Sequence, residues 1–229
     1  MWSIVVACAF GCCGAGADAN TPAPSEPLVS ELKQGLQTGS LIFSRGDCLA
    51  VKIFSQSSYT HVGGVVANGS EFVVYDSMNG VGVRKTPLLE YLQRQTPSTI
   101  HTVHPTVAFT AQTAEAYEQH LESQLGRKYA VKHHLTGRRC EGLHCSEYMT
   151  DALMAADLIS ARQPPRVSPG SLLEGVMTTN AYTEGNRFDL RVTDPPPPAD
   201  RTWCQSAWHR TSICCLKSAT QVRRWVLCR

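Results

Sequence analysis

Several features that would place a chain in a class at once are missing from these 229 residues. There is no run of about 18 uninterrupted apolar residues, so no membrane-spanning helix can be drawn. Neither charge sign dominates: 21 basic residues face 19 acidic ones, which argues against a nucleic-acid partner. The chain also lacks the low apolar content of a disordered protein, because 42% of it is hydrophobic. No internal repeat is visible. Cysteine, though it occurs 10 times, is scarce where a core would form. Cys8, Cys12 and Cys13 lie near the start, and Cys204, Cys214, Cys215 and Cys228 lie near the end. Only Cys48, Cys140 and Cys145 remain for the body, too few for a disulfide framework in a chain large enough to bury its own core.

Composition divides the chain into three parts. Residues 1–27 hold a small, apolar start (MWSIVVACAFGCCGAGADA) and a Pro-rich linker (NTPAPSEP). The start has small-x-small cleavage patterns at Ala15-Gly16-Ala17 and Ala17-Asp18-Ala19, and Val5-Val6-Ala7-Cys8 resembles a lipoprotein box. It has no basic residue ahead of the apolar run. An export or lipid-anchoring signal, with an exported or membrane-anchored protein, stands against an unstructured start and a cytoplasmic one. Residues 28–180 carry the strand and helix signals of one domain. Residues 181–229 contain a proline run (DPPPP) and a tail expected to be poorly ordered. From 201 onward the tail has six basic residues, no acid and three of the four tryptophans. It therefore offers peripheral membrane contact as one reading and a solvated extension as the other.

Within the body the expected order is a helix over 28–35, a strand over 40–43 and a helical segment over 49–54. Val62–Val66 and Phe72–Tyr75 follow as strands around Asn68-Gly69, the strongest short-range hairpin signal. A short strand at 80–83 precedes a helix through Gln93, capped by Thr86 with Pro87 at its first position. A strand over 100–103, a helix over 110–125 and a strong helix over 146–158 complete the body. Strands gathered first and helices last point to an α+β fold.

Placing Asn68-Gly69 at the centre of the turn sets His61 directly opposite Asp76, with Cβ atoms about 4.5–5.5 Å apart. A carboxylate there would orient the imidazole and stabilise its cation, although a one-residue slip would separate the two. Tyr59, two residues earlier, is expected on the same face as His61. Cys145 begins a stripe that continues through Tyr148, Met149, Ala152, Leu153 and Ala156, which sets it at the first turn of an amphipathic helix. There the helix dipole favours a thiolate, and unpaired amides can receive an oxyanion. A buried, inert cysteine is the competing reading. A metal site is the third: His133, His134, Cys140, His144 and Cys145 are crowded together. They lack the paired spacing of zinc sites and are flanked by Arg127-Lys128 and Arg138-Arg139, so no metal is expected. The arginine pair could steer an acidic substrate or simply be solvated.

In order, the sequence presents Gly39-Ser40-Leu41-Ile42-Phe43, Tyr59-Thr60-His61-Val62-Gly63, Val74-Tyr75-Asp76, Thr86-Pro87-Leu88, Gly126-x-x-Tyr129, Cys145-Ser146-Glu147 and Ser168-Pro169. The series, over roughly residues 35–176, resembles the circularly permuted papain-like hydrolases, the YiiX/YebB-like branch of the NlpC-type superfamily. The resemblance implies a small antiparallel barrel-like sheet packed against a helix bearing the cysteine. It further implies Cys145 as nucleophile, His61 as base, Asp76 as the third member and Tyr59 as an aid to the oxyanion. The chain departs from the pattern at Ser40, where an acid is common, at His144, where an aromatic is usual, and at Asp76, where the longer glutamate is frequent.

The expected function is a thiol hydrolase that cleaves an amide (peptide or N-acyl) or ester through an acyl-enzyme, without an external cofactor, and is capable of acyl transfer. The substrate classes implied are small amides or esters, peptides and lipids. A catalytically silent lipid- or peptide-binding module of the same fold and a metal-binding protein are the alternatives.

Overall fold

The computed structural model describes residues 24–45, 52, 57–96, 98–139 and 141–190, with scattered positions between 202 and 222. In chain order these form α1 (Glu26–Gly35), β1 (Leu41–Arg45), β2 (His61–Asn68), β3 (Glu71–Met78), β4 (Gly82–Pro87) and α2 (Leu88–Gln95). They continue as β5 (Ser98–Pro105), α3 (Ala111–Ser123), α4 (Lys132–Thr136), α5 (Cys145–Ala155), a 3-10 turn (Pro164–Arg166), α6 (Pro169–Thr178) and β6 (Tyr182–Leu190). The strands make one antiparallel sheet in the order β4-β3-β2-β1-β5-β6. The α+β class expected from the sequence is the class observed.

Strand alternation builds two cores from this one sheet. Leu41, Phe43, Val62, Val66, Tyr75 and Val103 face α3, α5 and α6, while Ile42, Val65, Val74 and Ile100 face α1 and α2. Each fully buried aliphatic or aromatic side chain contributes about 1.5–3 kcal/mol. On the first face α5 lies close to β2 because position 64 is glycine. A Cβ there would sit 2.1 Å from Tyr117 Oη and 2.6 Å from Met149 Sδ. The stripe expected on α5 is buried, and Ser146, Glu147 and Thr150 on its other side are fully buried as well. The cysteine helix is therefore enclosed nearly all round.

The structure corrects the sequence reading in four places. The β2–β3 register sets Asn68 opposite Glu71, so Gly69 and Ser70 form the turn. The left-handed backbone falls on Gly69 (φ +61°), the residue that adopts it without a steric cost. Thr86 does not cap α2. It pairs with Val74 as part of β4, and Pro87 occupies the cap position. The strand expected at 80–83 begins at Gly82 and runs to Pro87. Finally, the domain does not stop at 180: β6 extends it to Leu190 and pairs with β5 along its length. That strand (YTEGNRFDL) alternates poorly because it is a sheet edge, with buried Tyr182, Phe188 and Leu190 among exposed polar residues. The helix expected at 49–54 lies outside the described residues, apart from position 52.

Candidate active site

The site lies where the start of β2, the end of β3 and the start of α5 converge. His61 is the first residue of β2 and pairs with Ser44 of β1. Continuing the observed register beyond Gly64 and Tyr75 sets Asp76 opposite Gly63, two residues from its expected place. A shift of two preserves the face, because side chains alternate with period two. His61 therefore reaches Asp76 diagonally, with Nε2 2.9 Å from Oδ2. The Asp76 side chain is completely buried and that of His61 is 12% exposed. The His61 ring also stacks on Tyr91 of α2, with centroids 6.3 Å apart and planes at 28°.

Cys145 is the first residue of α5 and is buried. The chain leading to it is pinned: Ser77 Oγ donates to Leu143 O at 2.7 Å, and Leu143 N donates to Lys128 O at 2.9 Å. His144 is the N-cap, its Nδ1 accepting from Glu147 N at 3.3 Å while Nε2 donates to Pro165 O at 2.8 Å. Ser146 Oγ, donating to Val167 O at 2.7 Å, ties the same turn to the loop before α6. With His61 Nε2 engaged by Asp76, Nδ1 is the other ring nitrogen.

Electrostatics bring the thiol and the ring together. Burial by itself pushes the Cys145 thiol up, but the His61 cation and the neighbouring His144 ring outweigh it and hold the thiol well below its usual range. Burial likewise pushes His61 down. The Cys145 thiolate and Asp76 overcome this and raise the ring far above an ordinary histidine. For Asp76, burial works against the charge, and the contacts with His61 and Arg84 keep the carboxylate ionised. The arrangement can therefore hold a thiolate–imidazolium pair at neutral pH.

Tyr59 does not share the face of His61. It precedes the first residue of β2, so the alternation of the strand does not reach it. Its ring packs edge-on against Phe43 and stacks on His101, and Tyr59 Oη lies 2.8 Å from His101 Nδ1. Of the residues crowded around 133–145, Cys140 lies outside the described residues. Among those described, no three His, Cys, Asp or Glu residues form a group that could hold a metal ion. The Arg138-Arg139 pair is split: Arg139 makes a two-pronged contact with Asp151 at 2.6 and 2.7 Å.

Two contributors were not singled out from the sequence. Arg84 lies opposite Asp76 on β4 and binds its carboxylate, a partnership that depends on a strand register no local pattern reveals. Tyr129 enters the sequence pattern only through the Gly126-x-x-Tyr129 motif. Its phenol is pushed up by burial and then by the Cys145 thiolate.

A cysteine opening a helix and a histidine opening an earlier strand of an antiparallel sheet define the permuted papain-like class. The chain belongs to the C92 family, the YaeF/YiiX permuted papain-like amidase enzymes, whose profile matches residues 35–173. At a coarse level it is therefore a hydrolase of the amidase type. A crystal structure titled as the metalloprotein yiiX from Escherichia coli O157:H7 shares its fold, with a TM-score of 0.52 and 16% identity. That likeness covers 66% of this chain and 97% of the other. No curated protein matches the chain.

Proposed function

We propose that the protein is a thiol hydrolase in which Cys145 attacks the carbonyl of an amide or ester. His61 Nδ1 takes the thiol proton, and Asp76 holds the ring through Nε2 and stabilises its positive charge. The thiolate forms a bond to the carbonyl carbon, and the oxyanion meets the positive end of the α5 dipole at Cys145. His61 then protonates the leaving amine or alcohol as the tetrahedral intermediate collapses to a thioester. Water, losing its proton to the same ring, releases the acid and restores the thiol. An alcohol or amine in place of water gives acyl transfer.

The observation that carries this reading is the buried His61–Asp76 hydrogen bond beside a thiol at a helix start. Tyr59 enters it through a hydroxyl already engaged by His101, and it donates to the oxyanion only when His101 Nδ1 carries its own proton. The substrate classes are peptides, N-acyl amides and lipid esters. Trp203 and Trp208, 82% and 76% exposed in the basic tail, support peripheral contact with a membrane that carries such substrates.

Iodoacetamide labelling followed by mass spectrometry tests the reading. Cys145 is expected to alkylate far faster than the exposed Cys204 at pH 7, and to slow sharply in His61→Ala. A rate for Cys145 no higher than that of Cys204 sinks the nucleophile assignment. Fast labelling without hydrolysis of any amide or ester in a substrate panel selects the silent binding module.

A further inference from the structure

We propose that Arg84 is a positioning residue of the catalytic machinery, a guanidinium clamp that holds Asp76 in the geometry His61 requires. The inference rests on the thiol-hydrolase reading above. Arg84 and Asp76 are direct cross-strand partners on β4 and β3, so both side chains rise from the same face of the sheet. Arg84 Nε donates to Asp76 Oδ1 at 2.8 Å, and Nη2 reaches Oδ2 at 3.2 Å. The same Oδ2 accepts from His61 Nε2 at 2.9 Å. Two nitrogens of a planar fork thus fix the plane of a short carboxylate, and the free lone pair of Oδ2 is aimed at the ring. Arg84 is itself held, 13% exposed and with Nη2 3.5 Å from Met78 Sδ.

Charge requires the clamp as much as geometry does. A thiolate, an imidazolium and a buried carboxylate carry a net negative charge in a region of low polarity, and the guanidinium brings the set to neutrality. His61 from β2 and Arg84 from β4 bind Asp76 directly, and Tyr91 from α2 and Tyr148 from α5 feel its charge. Arg84 is the only permanent cation among them. Without it, Asp76 accepts a proton more readily, and the His61 cation that depresses the Cys145 thiol is held less firmly.

The test is the pH profile of Cys145 alkylation by iodoacetamide in the full chain, for wild type, Arg84→Gln and Arg84→Lys, with a thermal melt of each. The acid limb is expected to move to higher pH by about one unit or more in Arg84→Gln. Arg84→Lys keeps the charge but loses the fork, so it is expected to fall between the other two. A clamp that serves only stability lowers the melting temperature and leaves the limb where it was, which overturns the proposal. If Arg84→Gln does not fold, the limb of Arg84→Lys decides alone, and an unmoved limb is again fatal. Failure of the underlying reading looks different: wild-type Cys145 would then label no faster than Cys204, with no depressed acid limb to move.

Discussion

His61 and His101 stand on the same sheet, each beside an acidic side chain and each stacked on a tyrosine, yet their proton affinities move in opposite directions. His61 stacks on Tyr91 and is raised. His101 stacks on Tyr59 and is lowered. Both rings are buried enough for desolvation to push the charged form down, so the difference comes from their partners. Asp76 is fully buried and aligned with His61 Nε2 at 2.9 Å. Glu184 lies 3.3 Å from His101 Nε2, is 56% exposed and leaves that nitrogen without a hydrogen bond. Arg187 draws the same Glu184 oxygen away at 2.8 Å, and Arg187 and Arg45 add positive charge beside His101. Proximity of an acid is therefore not enough. The acid must be desolvated, aligned and not already shared with a surface cation.

The contrast predicts a ranked set of effects. Cys145→Ala removes the nucleophile that only the His61 side of the sheet serves, and amide hydrolysis should fall by about four powers of ten in a turnover assay. His61→Ala should slow alkylation of Cys145 at neutral pH by about thirtyfold. It should also move the acid limb from about 6 into the ordinary thiol range near pH 8.5, because the thiol loses the cation that depresses it. The sign follows from the thiolate being the reactive form: a raised thiol pKa shifts reactivity upward in pH. In the wild type the pair should persist until His61 loses its proton near pH 10.

Asp76→Asn tests the buried acid directly. It leaves Arg84 facing a neutral amide, so a thermal melt should show a loss of about 3–5 kcal/mol together with a downward shift in the upper pH limit of hydrolysis, which needs the imidazolium as acid. That limit moves down because His61 loses one of the charges that raise it. Tyr59→Phe removes the hydroxyl bonded to His101 and should cost turnover no more than about tenfold, with alkylation of Cys145 unchanged. Glu184→Gln should change stability by less than about 0.5 kcal/mol and leave the labelling rate alone, since an exposed, shared acid contributes little. A large effect of Glu184→Gln on Cys145 reactivity would break the comparison.

Part of the candidate site is legible in the sequence because Cys145 and His61 each carry a local signal. Cys145 was found from the spacing of the apolar residues after it, and His61 from the strand and hairpin pattern around Asn68-Gly69. The common face of His61 and Asp76 survives a difference of two residues in register, which shows how parity tolerates even slips and forbids odd ones. Tyr59 was misplaced for the complementary reason. It lies before the strand, and alternation says nothing about a residue outside the pleat. Arg84 was invisible because its partnership crosses strands, and β6 because an edge strand need not alternate cleanly.

Sequence alone determined the α+β class, a helix with Cys145 at its first turn and a strand directly after His61. These follow from short-range periodicity and turn chemistry, which act over a few residues. Only the tertiary structure decided that Cys145 is enclosed, that Asp76 is shared by His61 and Arg84, and that the acid beside His101 lies exposed and drawn off by Arg187. Those outcomes depend on which surfaces lose water and which charges meet across strands, and neither is encoded in any one stretch of chain.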